Sequence, residues 1–179
     1  MNFDNQLLVL DNKLARWHLD HLNDYAINSK YTYSQLSDAN AIDRDCRFAS
    51  HLSESEMKEL KIDLILQPVF SKFNYTLDIL NAYFNHYPLH AYVNRHIDDV
   101  KENTVTIIVC CNKYWDETWG GELKIYEEQG PIHKVIDYSP GRIIVFDSKL
   151  EHKAMPITPY AKSDRFTLAI KLSIIDESL

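Results

Sequence analysis

The sequence predicts an α+β fold, mainly β, in which N-terminal helices pack against a β-sandwich or barrel. Apolar residues recur at three- and four-residue steps in the first half, short β-branched runs take over after Pro88, and turn residues punctuate those runs at close spacing. With 179 residues, 45% hydrophobic and 25% charged, the chain fits one domain with a packed core. That domain, 1–179, divides into a mostly helical support over 1–86 and a β-rich core over 87–175.

From Asp11 to about Ile27, the residues Leu14, Trp17, His18, Leu22 and Tyr25 form the buried stripe of an amphipathic helix, with Asp11 as its N-cap. The polar stretch from Ser29 to Ser53 reads as loop, with one short strand around Arg47 to Ala49. Ser53-Glu54-Ser55-Glu56 is a capping box and starts a helix. Pro68 is expected to separate it from a second helix running to about Asn85. Strands are expected over Thr104–Cys111, Glu122–Tyr126, His133–Tyr138, Arg142–Phe146 and Arg165–Ile174. Gly120-Gly121, Gln129-Gly130-Pro131 and Ser139-Pro140-Gly141 supply turns between them.

Charge and composition exclude some functions. The balance of 19 Lys+Arg against 26 Asp+Glu, a formal charge of −7, argues against a nucleic-acid partner. The apolar run Ile107–Cys111 falls far short of the roughly 20 residues of a membrane span. Met1-Asn2-Phe3-Asp4 lacks the basic and apolar regions of a secretory signal, so a cytoplasmic protein is expected. Cys46, Cys110 and Cys111 are an odd set with two adjacent, and neighbours on a strand face opposite ways, so reduced thiols are expected.

Most of the histidines have structural explanations. His18 and His21 share a helix face without a third ligand, His86 and His90 are separated by Pro88, and His133 stands alone on a strand. His96 and Asp98 differ, because a strand's period of two puts both side chains on one face while Ile97 turns away. His152 on a later strand would complete a two-histidine, one-carboxylate facial triad, the arrangement of non-haem Fe(II) oxygenases. On the last strand Arg165 and Thr167 share one face, while Phe166, Leu168, Ile170 and Leu172 share the other and would pack on the helices. A guanidinium aimed into an apolar barrel needs an anion, and a dicarboxylate cosubstrate provides one.

The segment from about Tyr87 to Leu172 resembles the 2-oxoglutarate- and Fe(II)-dependent oxygenases, in particular their prolyl 4-hydroxylase and prolyl hydroxylase-domain branch. The matching pieces run in order: His96-Ile97-Asp98, Thr106 to Trp115, Trp119-Gly120-Gly121-Glu122-Leu123, Pro140-Gly141-Arg142-Ile143-Ile144-Val145-Phe146-Asp147, His152 and Arg165-Phe166-Thr167. The resemblance implies a double-stranded β-helix, or cupin-like jelly roll, with helices on its major sheet. It implies that His96, Asp98 and His152 bind Fe(II), that Arg165 and Thr167 hold the distal carboxylate of 2-oxoglutarate, and that Thr106 lines the cosubstrate pocket. A tyrosine before the His-x-Asp motif also belongs to the site, with Tyr92 the first candidate and Tyr87 the second. Lys162 lies ten residues after His152, where collagen-type enzymes carry their anchor, so it rivals Arg165. The strand continuing from Phe166 favours Arg165.

The implied reaction is hydroxylation of an unactivated C–H with dioxygen as oxidant and 2-oxoglutarate as cosubstrate, with ascorbate as a stimulant. A carboxylate at position 98 favours hydroxylation over halogenation, since related halogenases carry a small residue there. The expected substrate is a prolyl residue in a peptide or protein, the alternative being a free or carrier-tethered amino acid or other small molecule. Nucleic-acid demethylation is disfavoured, with Lys171 the nearby cation on the Arg165 face. A zinc hydrolase on the same three ligands and a non-enzymatic jelly-roll binding module are the other readings. A monomer or homodimer is expected.

Overall fold

The structure, a computed structural model, describes residues 7–34, 47–73 and 76–175. Ten strands form two antiparallel sheets. They are β1 (Leu7–Leu10), β2 (Thr32–Ser34), β3 (Arg47–His51), β4 (Thr76–Tyr87), β5 (Thr104–Cys110), β6 (Leu123–Tyr126), β7 (Ile132–Ile136), β8 (Ile143–Asp147), β9 (His152–Ala154) and β10 (Arg165–Ile175). The major sheet runs β1-β8-β5-β10-β4-β3-β2 and the minor sheet β7-β6-β9. Three α-helices, α1 (Arg16–Asn28), α2 (Glu54–Glu59) and α3 (Ile62–Phe73), and a short 3₁₀ helix at Glu117–Trp119 complete the described elements. None of them is long and apolar enough to cross a membrane.

Strand alternation divides the interior into two layers. Phe166, Leu168, Ile170 and Leu172 of β10 join Ile107 and Val109 of β5 and Ile143 and Val145 of β8 on one face of the major sheet. Leu22, Ala26, Ile62, Ile65 and Val69 of the helices cover them. Facing the minor sheet, Ile144 and Phe146 of β8 meet Leu123, Ile125 and Ile136. The odd and even positions of β10 therefore serve different layers, apolar toward the helices and polar toward the space between the sheets.

The capping box is present: the Ser53 side chain accepts from the Glu56 amide while Glu56 accepts from the Ser53 amide at 2.7 Å. Other local expectations change. Ala15, not Asp11, precedes α1 and gives no side-chain cap; Asp11 instead accepts from Arg142 at 2.8 and 3.0 Å. Trp17 of the expected stripe is 51% exposed, while His18, Leu19, Leu22, Asn23 and Ala26 are buried. The Ser29–Ser53 stretch carries strands β2 and β3, with 35–46, and with them Cys46, outside the described residues. Cys110 and Cys111 are free and buried.

Pro68 lies inside α3; the helical break comes earlier, at Lys61, whose φ is +50°. Burial of Ile62, Ile65, Leu66 and Val69 against the sheet outweighs the single backbone bond a proline removes.

The largest departure is β4, expected as helix and found as the strand beside β10. Its register skips one residue between Ile79 and Asn81 opposite the Leu172–Lys171 step, leaving Leu80 51% exposed. This bulge puts Ile79 and Ala82 on one face although they are three apart, so the apolar spacing imitates a helix. The first 86 residues consequently supply four strands of the major sheet as well as the three helices.

Candidate active site

The site starts from an antiparallel pairing. His96 and His152 exchange both backbone hydrogen bonds, at 3.0 and 2.9 Å, which brings their rings together across the seam beside the minor sheet. Their ring centroids lie 4.4 Å apart. Two residues on, the amides of Asp98 and Asp99 both donate to the Ser148 carbonyl, at 2.9 and 3.2 Å, which turns the Asp98 carboxylate back toward the imidazoles.

Each imidazole has one nitrogen occupied. Nδ1 of His96 lies 2.8 Å from the Asn94 carbonyl and Nδ1 of His152 lies 2.9 Å from the Leu150 carbonyl, so each Nδ1–H donates there. That tautomer leaves the Nε2 lone pairs for a metal. His96 Nε2 stands 3.7 Å from Asp98 Oδ1 and His152 Nε2 3.6 Å from Oδ2. The three ligand atoms all fall within 4.8 Å of one another. Burial lowers the pKa of His152 to about 4, with Asp98 opposing, so the ring is neutral at physiological pH. Burial works against the charge of Asp98, but His152, Lys171 and His96 more than offset it and hold the carboxyl well below its usual range. Two imidazole Nε2 atoms and one ionised carboxylate on one face fit a divalent iron ion.

A second chemistry lies deeper between the sheets. Arg165, 3% exposed, opens β10 and lines an inner cavity together with Thr167, Tyr87, Tyr138 and the three metal-ligand candidates. Its Nη1 donates to the Gly121 carbonyl at 2.5 Å and to the Met155 carbonyl at 3.2 Å, and its guanidinium carbon stacks 4.0 Å from the Tyr87 ring centre. Nε is buried without a partner, and no carboxylate pairs with the side chain among the described residues. An unneutralised guanidinium in such a cavity fits an anionic cosubstrate carboxylate. Thr167 presents its hydroxyl two residues along, accepting from Asn85 at 3.4 Å.

Gly121 does more than turn the chain. Its φ is +84°, and a Cβ there would stand 3.0 Å from Arg165 Cδ and 3.3 Å from Nη1. Close approach of the guanidinium therefore requires glycine. Trp115 and Trp119 are buried beside it in a cluster with Tyr138, and the Trp115 indole donates to the Gly120 carbonyl at 2.9 Å.

Three other expected residues sit elsewhere. Tyr92 is 40% exposed, with its hydroxyl 3.3 Å from Lys153 Nζ, and it does not line the cavity. Tyr87 takes that place because it ends β4 directly opposite Arg165. It is the second candidate from the sequence, and placing it ahead of Tyr92 requires reading β4 as a strand. Thr106 is fully buried behind the metal site rather than in the cavity wall, its hydroxyl donating to Asp98 Oδ2 at 2.7 Å. Lys162 is exposed in the turn before β10 and does not line the cavity.

A family model described as the 2OG-Fe(II) oxygenase superfamily matches residues 82–170, the stretch that carries all three metal-ligand candidates and Arg165. The chain belongs to that superfamily. Fe(II) and 2-oxoglutarate are accordingly the cofactor and cosubstrate of this oxygenase. Comparison with curated protein sequences finds no match. Among solved structures, the oxygenase is similar to a prolyl 4-hydroxylase from Pseudomonas putida, with TM-score 0.64 and 16% identity over 96% of this chain and 94% of that one. It is similar to the viral collagen prolyl hydroxylase of Paramecium Bursaria Chlorella virus-1, solved as a 2OG complex, with TM-score 0.69 and 15% identity over 96% of this chain and 98% of that one. It is also similar to a prolyl hydroxylase from Trichoplax adhaerens, solved with a hypoxia inducible factor peptide fragment, with TM-score 0.67 and 21% identity over 97% of this chain and 85% of that one. The shared architecture is the double-stranded β-helix.

Proposed function

We propose that this oxygenase hydroxylates a prolyl residue within a peptide or protein segment. The reading rests on a division of the site into two chambers that share two of the three metal-ligand candidates. His96 and Asp98 line both the inner cavity ending at Arg165 and an outer groove of about 960 Å³ along Asn94–Val100, Tyr126 and Lys149–Glu151. The inner chamber suits a small dianion; the outer one is large enough for an extended chain. The Trichoplax neighbour, solved with a peptide, supports the same reading.

The residues divide the labour. His96, Asp98 and His152 would hold Fe(II), which with 2-oxoglutarate and dioxygen supplies the oxidising power for C–H hydroxylation. Arg165, backed by Tyr87 and seated against Gly121, binds and orients the cosubstrate through its distal carboxylate, with Thr167 beside it. Arg95, one residue before His96, fixes the groove wall: it pairs with Glu151, donates to the Gly130 carbonyl at 2.9 Å and stacks 4.0 Å over Tyr126. The minor sheet and the Trp115–Trp119–Tyr138 cluster keep water from the inner chamber.

The deciding experiment has two stages. Anaerobic titration with Fe(II) and then 2-oxoglutarate should give the visible charge-transfer band of the chelated cosubstrate, absent in His152→Ala. Proline-containing peptides and free proline are then supplied with dioxygen, and succinate release is scored beside the gain of one oxygen atom by mass. Peptide oxidation without oxidation of free proline is expected. Turnover of free proline with no peptide oxidised would overturn the peptide reading.

A further inference from the structure

Lys171 has no part in the chemistry above, yet it lies in the inner cavity beside a metal ligand. It stands six residues beyond Arg165 on the same face of β10, directly opposite Thr106 of β5. The β4 bulge falls at this residue, and bulges commonly re-aim a neighbouring side chain. Its ammonium contacts Asp98 Oδ2 and lies 3.0 Å from Thr106 Oγ1.

The donors around Asp98 can be counted. The Thr106 hydroxyl gives its one proton to Oδ2 at 2.7 Å, so it accepts from Lys171 and, at 3.0 Å, from the Ser148 hydroxyl. Oδ2 thus receives two protein donors, one of them charged. Oδ1 has none among the described residues; it faces His96 Nε2 at 3.7 Å, as Oδ2 faces His152 Nε2 at 3.6 Å. The two oxygens of one carboxylate are made chemically unequal.

We propose that Lys171 is a positioning residue that, with Thr106, engages Asp98 Oδ2 and leaves Oδ1 as the single oxygen offered to the metal. A carboxylate free to rotate can chelate through both oxygens and occupy a fourth coordination position. Two histidines and one oxygen leave three positions, two for 2-oxoglutarate and one for dioxygen, and a chelating carboxylate would take the third. Lys171 therefore protects the position left for dioxygen, and a charged hydrogen bond in a buried setting is strong enough to do so.

The test needs neither turnover nor a prime substrate, so it fails or succeeds independently of the prolyl reading. Protein loaded anaerobically with Fe(II) and 2-oxoglutarate is titrated with nitric oxide, which takes the position left for dioxygen and gives an Fe(II) adduct with its own electron paramagnetic spectrum. Lys171→Met should still bind one equivalent of Fe(II), and 2-oxoglutarate with it, but with a nitric oxide Kd raised about tenfold or more. Lys171→Arg should restore the wild-type affinity. Thr106→Val, nearly isosteric, removes the other donor and should move the nitric oxide Kd the same way, which keeps the test open if Lys171→Met does not fold. A Lys171→Met or Thr106→Val protein with both the spectrum and the nitric oxide affinity of wild type would overturn the proposal.

Discussion

Replacing Arg165 with methionine separates cosubstrate binding from folding. Arg165 is 3% exposed, and its guanidinium faces no carboxylate among the described residues. An unpaired buried charge costs several kcal/mol after relaxation. Two carbonyl hydrogen bonds return about 3 kcal/mol and the Tyr87 stack about 2 kcal/mol. These terms nearly cancel, so Arg165→Met without ligand should lie within about 2 kcal/mol of wild type, a Tm change within about 8 °C for a domain of this size. Binding should respond differently. Loss of a desolvated charge-assisted contact costs about 2–5 kcal/mol, roughly 30- to 4,000-fold in the 2-oxoglutarate Kd. At 100 times its Kd the cosubstrate stabilises wild type by about 2.7 kcal/mol, or about 5–11 °C; in the variant the same concentration should give about 0.8 kcal/mol or less. Thermal unfolding of the Mn(II)-loaded proteins under nitrogen, with and without 2-oxoglutarate, measures both effects. A variant several kcal/mol less stable that keeps the full ligand shift would make Arg165 a structural residue and refute the assignment.

Three further changes test neighbouring parts of the structure. Tyr87→Leu removes the ring over Arg165 and should raise the 2-oxoglutarate Kd about 5- to 30-fold by calorimetry, whereas Tyr92→Leu should leave it unchanged. Gly121→Ala meets both a φ of +84° and Arg165 at 3.0 Å, so it should lose at least about 1–2 kcal/mol in urea unfolding and weaken cosubstrate binding as well. Hydrogen bonds from Ser53 and Tyr25 hold the Glu56 carboxyl at about 2, below its ordinary 4.5. Its folded pKa is depressed, so its contribution is complete above pH 4.5 and is lost as pH falls toward 2. Urea midpoints of wild type should drop more steeply across that window than those of Glu56→Gln.

What the residues revealed in advance depended on how local the cause was. The capping box at Ser53 and the alternation of β10 are set by neighbours in the chain, and both have the expected form. The His96, Asp98 and His152 side chains meet as their spacing suggested, although a single backbone bridge, not a continuous strand, holds His96. Failures came where a distant contact decides. The β4 bulge hid a strand behind helical spacing, and with it the placement of Tyr87 opposite Arg165. Asp11 is drawn to Arg142, 131 residues away, and no helix-start rule anticipates that partner. Gly120-Gly121 was legible as a turn, but the need for glycine at Gly121 lies in Arg165, 44 residues along the chain.

The position of β10 has a consequence for how the protein is made. The last of the described strands lies between β5 and β4, near the middle of the major sheet, and carries Arg165, Thr167 and Lys171. During synthesis, before β10 leaves the ribosome, β4 and β5 each lack that neighbour and the apolar face under the helices is split. Such open edges recruit chaperones and invite aggregation. Chains stopped short of residue 165 would also lack the cosubstrate anchor even with every iron ligand already translated. Nascent and truncated molecules could then pick up iron but could not be primed by cosubstrate, so competence for oxidation arrives together with completion of the sheet.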